Sequence, residues 1–468
     1  MTAHCRLIVP FLLTALLVAP LSCRRADGEA EDPVDREARD AFVAYLKIDT
    51  TNPPGRETAG AKFLQQLLQK EGIEARLVGS DPQRQSVYAR LRSGSTEKAL
   101  LLLHHIDVVP AVAAEWTRPP FGGTISDGYI WGRGALDVKS LGIAEAMALI
   151  ELKRRNAPLR RDIVFLAVAG EETGGAQGTA ELLQKNPELF DNVGYVINEG
   201  GYTETIVDRV ALWGIEVQEK VPLWLSLHAK GTAGHAASPP DDGGALGKLV
   251  RALDAVQQIP TPYRLTPDVE RYFHQVGATR HDERGEIMRN IAGELAGERL
   301  GRVLTPSYRS LLHDTIAITR VEGGSSVNSL PANAVADIDI RLLPDETTDA
   351  MLKQVRNAAG KDADVEVLLA GAPTPATSEN TDLYRSLESV LRRAEPSSRV
   401  APIVGAGTTD SRFFRARGIA AYGVSPFKVN YYDAGTAHGI DERIRTRFFE
   451  EGVRVMRAIV SDFCERKR

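Results

Sequence analysis

Apolar and polar residues follow two different periods along this chain, and the two periods alternate. Continuous apolar runs such as those in LLLHHIDVVP and FLAVAGEETGG are typical of buried strands, whereas GIAEAMALIELKRRN has the apolar spacing of a helix. This alternation extends from about residue 33 to residue 218 and returns after residue 373. Strands that alternate with helices predict an α/β fold, in which one sheet lies between two layers of helices.

The pattern changes after Glu219. A strand, a helix, two strands, a helix and a strand follow, and this βαββαβ order is that of a ferredoxin-like α+β module. The sequence therefore predicts a main α/β domain made of residues 33–218 and 373–468, interrupted by an inserted domain of residues 219–372. Within the inserted domain, residues 260–313 form an additional insertion of mixed helical and polar character, whose role does not follow from the sequence.

Composition narrows the class of protein. The chain has 468 residues, of which 43% are hydrophobic and 25% are charged, and this is the profile of an ordinary globular protein long enough for two or three domains. The net charge is only -5 and there is no long basic block, so nucleic acid is not an expected partner.

Residues 1–23 have the layout of a secretory leader. Arg6 precedes the apolar stretch LIVPFLLTALLVAP, and Cys23 follows the small Ser22, which resembles a bacterial lipoprotein cleavage site. Lipidation of Cys23, simple cleavage and an uncleaved membrane anchor all stay open. We expect a secreted or cell-envelope protein, periplasmic and attached to the membrane by its N-terminus in the lipidated case. Cys464 is the one cysteine beyond the leader, so no disulfide framework is expected.

Residues that bind divalent metals stand where apolar runs end. Ligands of α/β sheets gather at the carboxyl ends of the strands, so such residues are expected to converge on one site. Four segments end in this way, and a fifth candidate lies on a Gly-rich loop: they supply His105 with Asp107, Glu171 with Glu172, Glu199, His438, and Asp137 on the loop.

Zinc takes imidazole nitrogen and carboxylate oxygen, and two metals about 3.5–4 Å apart form a site that hydrolyses amides. The chain offers a suitable ligand set in His105, Asp137, Glu172, Glu199 and His438.

Neighbouring residues are expected to take different roles. Asp107 lies two residues beyond His105 and is predicted to orient its imidazole. His104 faces the other way by the same period and is predicted to be structural. The side chains of Glu171 and Glu172 diverge, so one can bind metal while the other takes a proton.

Nine motifs, in this order, resemble the M20 family of metallopeptidases: HHIDVVP, GRGALDVKS, AGEETGG, NEGG, KGTAGHAASPP, SSVNSLPANA, DIRLLP, GAGTTDSRFF and HGIDERI. The resemblance covers nearly all of the chain after residue 35. The segment GIEVQEKVPLWLSLHAKGTAGHAASPP is most similar to the carboxypeptidase S and N-acyl-amino-acid hydrolase branch. The resemblance implies a di-zinc exopeptidase-type α/β/α sandwich, with residues 219–372 as a lid and dimerisation domain.

The resemblance also implies a role for each ligand. Asp137 would bridge two zinc ions, with cobalt or manganese as alternatives. His105 and Glu199 would complete one metal site, and Glu172 and His438 the other. Glu171 would be the general base that deprotonates the bridging water and passes the proton to the leaving amine.

Four further roles follow from the resemblance alone. His235 would reach from the inserted domain of a partner subunit to stabilise the tetrahedral oxyanion, which implies a homodimer. Arg341, Asn328 and Thr408 match positions that hold the carboxylate of the substrate.

The expected function is hydrolysis of an amide or peptide bond next to a free carboxylate, by a carboxypeptidase, a dipeptidase or an N-acyl-amino-acid deacylase. The substrate would be a peptide or an N-acyl amino acid. The alternative is a non-catalytic, substrate-binding envelope lipoprotein that retains the fold. Such a protein would be expected to lose ligands or the base, and this chain keeps them all. The departures from the family, His104 and Val138, remove no ligand.

Overall fold

The structure is a computed structural model, and it describes residues 32–466. The predicted leader, including Cys23, lies outside the described residues. Among those described, no helix is both long and apolar enough to cross a membrane.

The chain up to residue 219 forms most of the main domain. Besides three short 3-10 turns, its elements are α1 (Pro33–Leu46), α2 (Glu57–Lys70), β1 (Ala75–Val78), β2 (Ser86–Leu91), β3 (Ala99–His105), β4 (Thr124–Ser126), β5 (Tyr129–Trp131), α3 (Lys139–Arg154), β6 (Ile163–Val168), α4 (Thr179–Lys185), β7 (Val193–Asn198), β8 (Tyr202–Ile206) and β9 (Arg209–Glu219).

The next part of the chain forms a second sheet and a group of short helices. Its elements are β10 (Val221–Lys230), β11 (Gly234–His235), α5 (Gly244–Gln257), α6 (Pro267–Gly277), α7 (Glu283–Arg289), α8 (Ile291–Glu294), α9 (Glu298–Val303), α10 (Pro306–Arg309), β12 (Thr315–Gly323), β13 (Ser329–Leu330), β14 (Asn333–Leu342), α11 (Thr348–Ala359) and β15 (Asp364–Ala370).

The last part returns to the main domain. It contains α12 (Asp382–Ala394), β16 (Arg399–Gly405), α13 (Ser411–Arg415), β17 (Ala420–Gly423), α14 (Tyr431–Ala434), β18 (Arg443–Arg445) and α15 (Thr446–Cys464).

The main sheet has the order β1-β2-β6-β3-β7-β17-β9-β16, with β8 paired to β9. Strands β6, β3, β7 and β17 run parallel to one another, so their carboxyl ends lie at one edge of the sheet. Strands β1 and β2 extend the sheet antiparallel on one side, and β9 pairs antiparallel with β17 on the other. The four parallel strands therefore form the platform for the site.

Helices cover both faces of this sheet, as the apolar pattern predicts. Side chains of β3 alternate between the two faces: Leu100 and Leu102 pack with α1, α2, α3, α12 and α15, whereas Leu101 and Leu103 pack with α4 and α13. The predicted α/β/α sandwich is confirmed.

His104 has the structural role that its place on β3 predicts. It is fully buried under α3, with Nδ1 2.8 Å from Oε2 of Glu145. Burial lowers the pKa of His104 to about 3 and raises the pKa of Glu145 well above its usual value. Both shifts favour the neutral form of the group, which avoids burying a pair of charges.

The inserted domain has the predicted ferredoxin-like arrangement. Its sheet has the order β12-β14-β10-β15 with antiparallel neighbours, and α5 and α11 pack on one face of it. Across the sheet, the neighbours are therefore the second, third, first and fourth strands of the βαββαβ unit, numbered in chain order. The sheet lies between Val221 and Ala370, and the exact domain boundaries at residues 219 and 372 stay predictions.

The insertion at residues 260–313 is predicted as part of the inserted domain, but in the structure it lies against the main domain. Its helices pack on the main sheet, where Tyr272 and Phe273 join a cluster with Leu212 of β9 and with Ala401 and Ile403 of β16. These apolar residues of β9 and β16 face away from α3 and would otherwise be exposed to water. The insertion therefore completes the second helical layer of the main domain.

Buried Lys220 anchors the insertion where the chain leaves the main sheet. Its Nζ donates hydrogen bonds to the main-chain carbonyls of Ser310, at 3.0 Å, and His313, at 2.9 Å. The ammonium group is almost fully buried, so its N–H donors need hydrogen-bond acceptors in the protein. The end of the insertion is thus held against the start of β10.

Some strands were not predicted. The small sheet β18-β5-β4 has strands of only three residues each, which are too short to show a period, and the β8–β9 hairpin lies between two predicted strands without a distinct signal of its own. Strand β18 also pairs with a strand more than three hundred residues earlier, and such a pairing has no local signal.

Packing between β3 and α3 generates a test of the fold. A Cβ on Gly142 would lie 2.3 Å from Nε2 of His104, whose ring is fixed by Glu145. We expect Gly142→Ala to cost about 1–3 kcal/mol of stability because an overpacked core must shift. Thermal unfolding monitored by circular dichroism measures the change.

Gly301→Ala is the matched control, since this helical glycine has only Arg309 Nη1 within 4 Å of an added Cβ, at 3.7 Å. There the midpoint should stay or rise slightly, because alanine favours a helix. Equal midpoints for the two variants would contradict the described packing of His104.

Candidate metal centre and active site

Three predicted site segments meet at the carboxyl edge of the parallel strands. His105 is the last residue of β3, and Glu199 directly follows β7. Glu171 and Glu172 lie in a 3-10 turn just after β6. Because β6, β3 and β7 are neighbours in the sheet, these side chains converge without any long-range loop.

Asp137 enters this edge from the Gly-rich loop before α3. Its Oδ1 lies 2.9 Å from Nε2 of His105, and its Oδ2 lies 3.0 Å from Nε2 of His438. Each carboxylate oxygen therefore faces a different histidine, although the two histidines are more than three hundred residues apart in the chain.

The five predicted ligands form two groups that share Asp137. The remaining carboxylates lie close to the same nitrogens, with Glu199 Oε2 at 3.4 Å from His105 Nε2 and Glu172 Oε1 at 3.2 Å from His438 Nε2. Within each group, all ligand atoms lie within 4.8 Å of one another. We name the groups triad A, which is His105, Asp137 and Glu199, and triad B, which is Asp137, Glu172 and His438.

The contact between Asp107 and His105 differs from the prediction. Nδ1 of His105 donates to the main-chain carbonyl of Asp107 at 2.8 Å, whereas the nearer carboxylate oxygen is 3.8 Å away. The carboxylate instead accepts hydrogen bonds from the N–H groups of Glu171, at 3.2 Å, and Glu172, at 3.1 Å. The side chain is directed there because β3 ends at His105, so the alternation of a strand no longer applies at Asp107.

Three site residues have no counterpart among the predicted functional residues. Asn52 donates to Asp107 Oδ2 at 2.8 Å and to Thr173 Oγ1 at 3.0 Å, and Arg412 donates to the carbonyl of Gly174 at 2.8 Å. The third is Glu442, which is described below. Asn52 lies in the turn TNPPG and the other two lie within matched motifs, which is the only signal the sequence holds for them.

Electrostatics within the two triads favours cations. Hydrogen bonds with Asp137 and Glu172 raise the pKa of His438 to about 11. Burial alone would lower the pKa of His105, but Glu199 and Asp137 outweigh it and raise that pKa well above its usual value. Both imidazoles therefore hold protons at neutral pH in this arrangement, and a metal that binds must displace them.

Glu171 stands apart from both triads. Its side chain is buried, and this burial raises its pKa well above the usual value, with the charge of Glu199 adding to the effect. A carboxyl group that takes up a proton easily suits a residue that carries protons during a reaction.

The donor atoms fit a pair of divalent metals. Each triad offers one imidazole nitrogen and two carboxylates, which is a set of nitrogen and oxygen donors that zinc accepts. The bond from Nδ1 of His105 to a carbonyl directs its Nε2 to the site, as is usual for metal-binding histidines. The two oxygens of Asp137 face different triads, which is the arrangement of a bridging carboxylate.

The other predicted residues lie outside the triads. His235 and Asn328 are neighbours on the exposed β11–β13 ribbon, where the N–H of Ala236 donates to the carbonyl of Asn328 at 3.0 Å. Thr408 accepts a hydrogen bond from Arg412 at 3.3 Å, and through it is linked to the loop of Glu171.

Arg341 lies on β14 in the inserted domain. Asp339 binds its Nε and Nη2 at 2.7 and 2.9 Å, and the guanidinium lies 5.5 Å from the ring centre of Trp224. The inserted domain also reaches the site itself, since a Cβ on Gly174 would lie 3.1 Å from the side chain of Leu369.

Comparison with known proteins agrees with this geometry. The sequence matches peptidase family M20/M25/M40 over residues 101–462. It is 32% identical to the N-fatty-acyl-amino acid synthase/hydrolase PM20D1 of Xenopus tropicalis over 75% of this chain and 69% of the relative. It is 26% identical to the aminoacylase-1 of Sus scrofa, over 90% of this chain and 93% of the relative.

Among solved structures, the M20 family metallo-carboxypeptidase Sso-CP2 from Sulfolobus solfataricus has the same fold. The TM-score is 0.71 at 21% identity, over 91% of this chain and 99% of that one.

The fold and the site thus define a metal-dependent hydrolase of amide or peptide bonds. The chain belongs to the M20 family of metallopeptidases, as its motifs predict.

The raised pKa values of the two histidines generate a test of metal binding. Because each ring must lose a proton to bind, apparent affinity for Zn²⁺ should rise about tenfold per pH unit for each proton displaced, from about pH 6 to about pH 8. Competition of the metal-free protein with a chromophoric chelator measures this affinity. An affinity that does not change with pH would show that protonated imidazoles are not the groups that the metal meets.

Proposed function

We propose that the protein is a di-zinc hydrolase that cleaves N-acyl amino acids at the amide bond next to the free carboxylate. The observation that carries this proposal is the pair of triads that share Asp137, with Glu171 buried beside them. Two curated relatives are named for acyl-amino-acid chemistry, and this supports an N-acyl amino acid over a dipeptide. The leader supports a secreted or periplasmic location.

The residues of the chain divide the reaction between them. When bound, the two metals would lower the pKa of a water molecule and polarise the scissile carbonyl. Glu171 takes the proton of that water and later delivers it to the leaving amine. Hydrogen bonds from the main-chain N–H groups of Glu171 and Glu172 to Asp107 fix the backbone of the turn from which these two side chains project.

His235 is positioned to donate a hydrogen bond. Its Nδ1 accepts from the N–H of Ala237 at 3.0 Å, which places the ring proton of the neutral imidazole on Nε2. An exposed Nε2–H can stabilise an oxyanion. Since His235 lies outside the triads of its own chain, the proposal has it act on the site of a partner subunit in a homodimer.

Arg341 is proposed to bind the carboxylate of the substrate, together with Asn328 and Thr408. Asp339 occupies Nε and Nη2, whereas the buried Nη1 has no hydrogen-bond partner among the described residues. A substrate carboxylate at Nη1 would satisfy this donor.

In the described part of the chain nothing favours the non-catalytic alternative, since the five ligands and Glu171 are all kept together.

A substrate panel tests the proposed function. Metal-free protein is reloaded with Zn²⁺ and offered N-acyl amino acids, C-terminal dipeptides and N-acyl amino acid amides, which lack the free carboxylate. We expect hydrolysis of the N-acyl amino acids, loss of activity with a chelator, and little hydrolysis of the amides. Activity confined to substrates without a free carboxylate would overturn the proposal.

Glu171→Gln provides the inactive control for this panel. It should reduce turnover by about 10²–10⁴-fold while both metals stay bound, because it removes a proton carrier and no ligand. Metal content of the purified variant verifies that the centre is intact, and undiminished turnover would remove Glu171 from the mechanism.

The carboxylate pocket generates a separate prediction. Arg341→Ala should raise KM for N-acyl amino acids about ten- to a hundredfold, since a hydrogen bond to a charged group is worth about 1.5–3 kcal/mol. Steady-state kinetics measures this change. The matched control is Arg320→Ala on β12, where the arginine pairs with Asp337 at 2.8 Å and should leave KM unchanged. An equal rise for both variants would count against a specific role for Arg341.

A further inference from the structure

Glu442 is a fully buried carboxylate that contacts the loop of the shared ligand. Its Oε1 accepts from the N–H groups of Leu136, at 2.7 Å, and Asp137, at 3.0 Å. Its Oε2 accepts from the N–H of Gly134 at 3.0 Å and from Nη1 of Arg133 at 2.6 Å. Four donors from five consecutive residues thus converge on one carboxylate, and they fix the backbone from which Asp137 projects.

The partner of Glu442 extends this contact to a second ligand. Nη2 of buried Arg133 donates to the carbonyl of Gly439 at 2.9 Å, directly after His438. Glu442 itself lies four residues beyond His438, and the N–H of Gly132 donates to its carbonyl at 2.9 Å. The loop of Asp137 and the loop of His438 are therefore bound to each other through one buried ion pair.

In the described part of the chain, the side-chain hydrogen bonds of Glu442 go to main-chain N–H groups and to Arg133, so they reach the metal ligands through the backbone that carries them. Triad B takes two of its three ligands, Asp137 and His438, from the loops that Glu442 and Arg133 hold. Triad A takes only Asp137 from them, since its other ligands lie at the ends of β3 and β7.

We propose that Glu442 is a positioning residue that sets the separation of Asp137 and His438, and thereby the metal affinity of triad B more than that of triad A. The proposal rests on the di-metal centre of the proposed function. Residues that orient metal ligands typically change metal affinity about 10–100-fold when they are replaced. In Glu442→Gln, the amide NH₂ would face donors where an oxygen now accepts, so at least one side of the contact is lost.

Metal titration of the full-length protein tests this proposal. Metal-free wild type and Glu442→Gln are titrated with Zn²⁺ against a chromophoric chelator, and with Co²⁺ to record the absorption of each bound ion. We expect the wild type to bind two ions. In the variant, the affinity for one ion should fall about 10–100-fold and the affinity for the other should fall less. The weakened ion should be the one whose Co²⁺ absorption is lost in His438→Ala.

Asp162→Asn is the matched control. This buried carboxylate also accepts from a main-chain N–H, that of Ser93 at 2.7 Å, and from an arginine, Arg90 at 2.9 Å. It directly precedes β6 and so lies at the end of that strand opposite to Glu171. A lower melting temperature with unchanged metal binding is expected there, which separates a general loss of stability from an effect on the metals.

Arg133→Lys gives an independent reading if Glu442→Gln does not fold. Lysine keeps the charge but cannot bind Glu442 and Gly439 with two fixed nitrogens, so the same ion should be weakened. Unchanged affinities in the folded variants, or equal losses at both ions, would overturn the proposal. A wild type that binds no metal would instead overturn the proposed function on which it rests.

Discussion

Several carboxylates lie together at one edge of the main sheet, and the rest of the site compensates their mutual repulsion. The carboxylates of Asp137, Glu172 and Glu199 converge on two imidazoles, with Glu171 buried beside them. Carboxylates brought together away from water repel one another and lose hydration, so they persist only if protons, cations or N–H donors compensate. Hydrogen bonds from main-chain N–H groups and the affinity for divalent cations are two consequences of this one constraint.

Much of the architecture could be predicted because its causes are local. A continuous apolar run ends where a buried strand ends, and parallel strands bring those ends to the same edge. His105 and Glu199 could be placed by this rule alone, and the two-residue period of a strand separated His104 from the site. The order of elements in the inserted domain was equally readable, since each strand and helix carries its own periodicity.

The remainder depends on contacts that have no local signal. The carboxylate of Asp107 was expected to hold an imidazole, but the strand ends before it and its oxygens bind two main-chain N–H groups instead. In the sequence, Glu442 is one more acidic residue after the histidine of a matched motif. Only the folded chain shows that its carboxylate contacts a loop about three hundred residues earlier. An amphipathic helix such as α6 reveals that it has an apolar face, not which of two sheets that face will cover.

The location of the insertion changes how the two domains are connected. A domain inserted into another is usually attached by two connecting segments. These permit the inserted domain to rotate widely about the line that joins them. Here the chain leaves the inserted sheet again after α5, covers β16 of the main sheet, and returns at β12, so four covalent connections join the two bodies. Lys220 fastens one of these connections to another. Four connections constrain the relative movement of the two bodies more than two would, because each added connection removes directions in which they can separate or rotate.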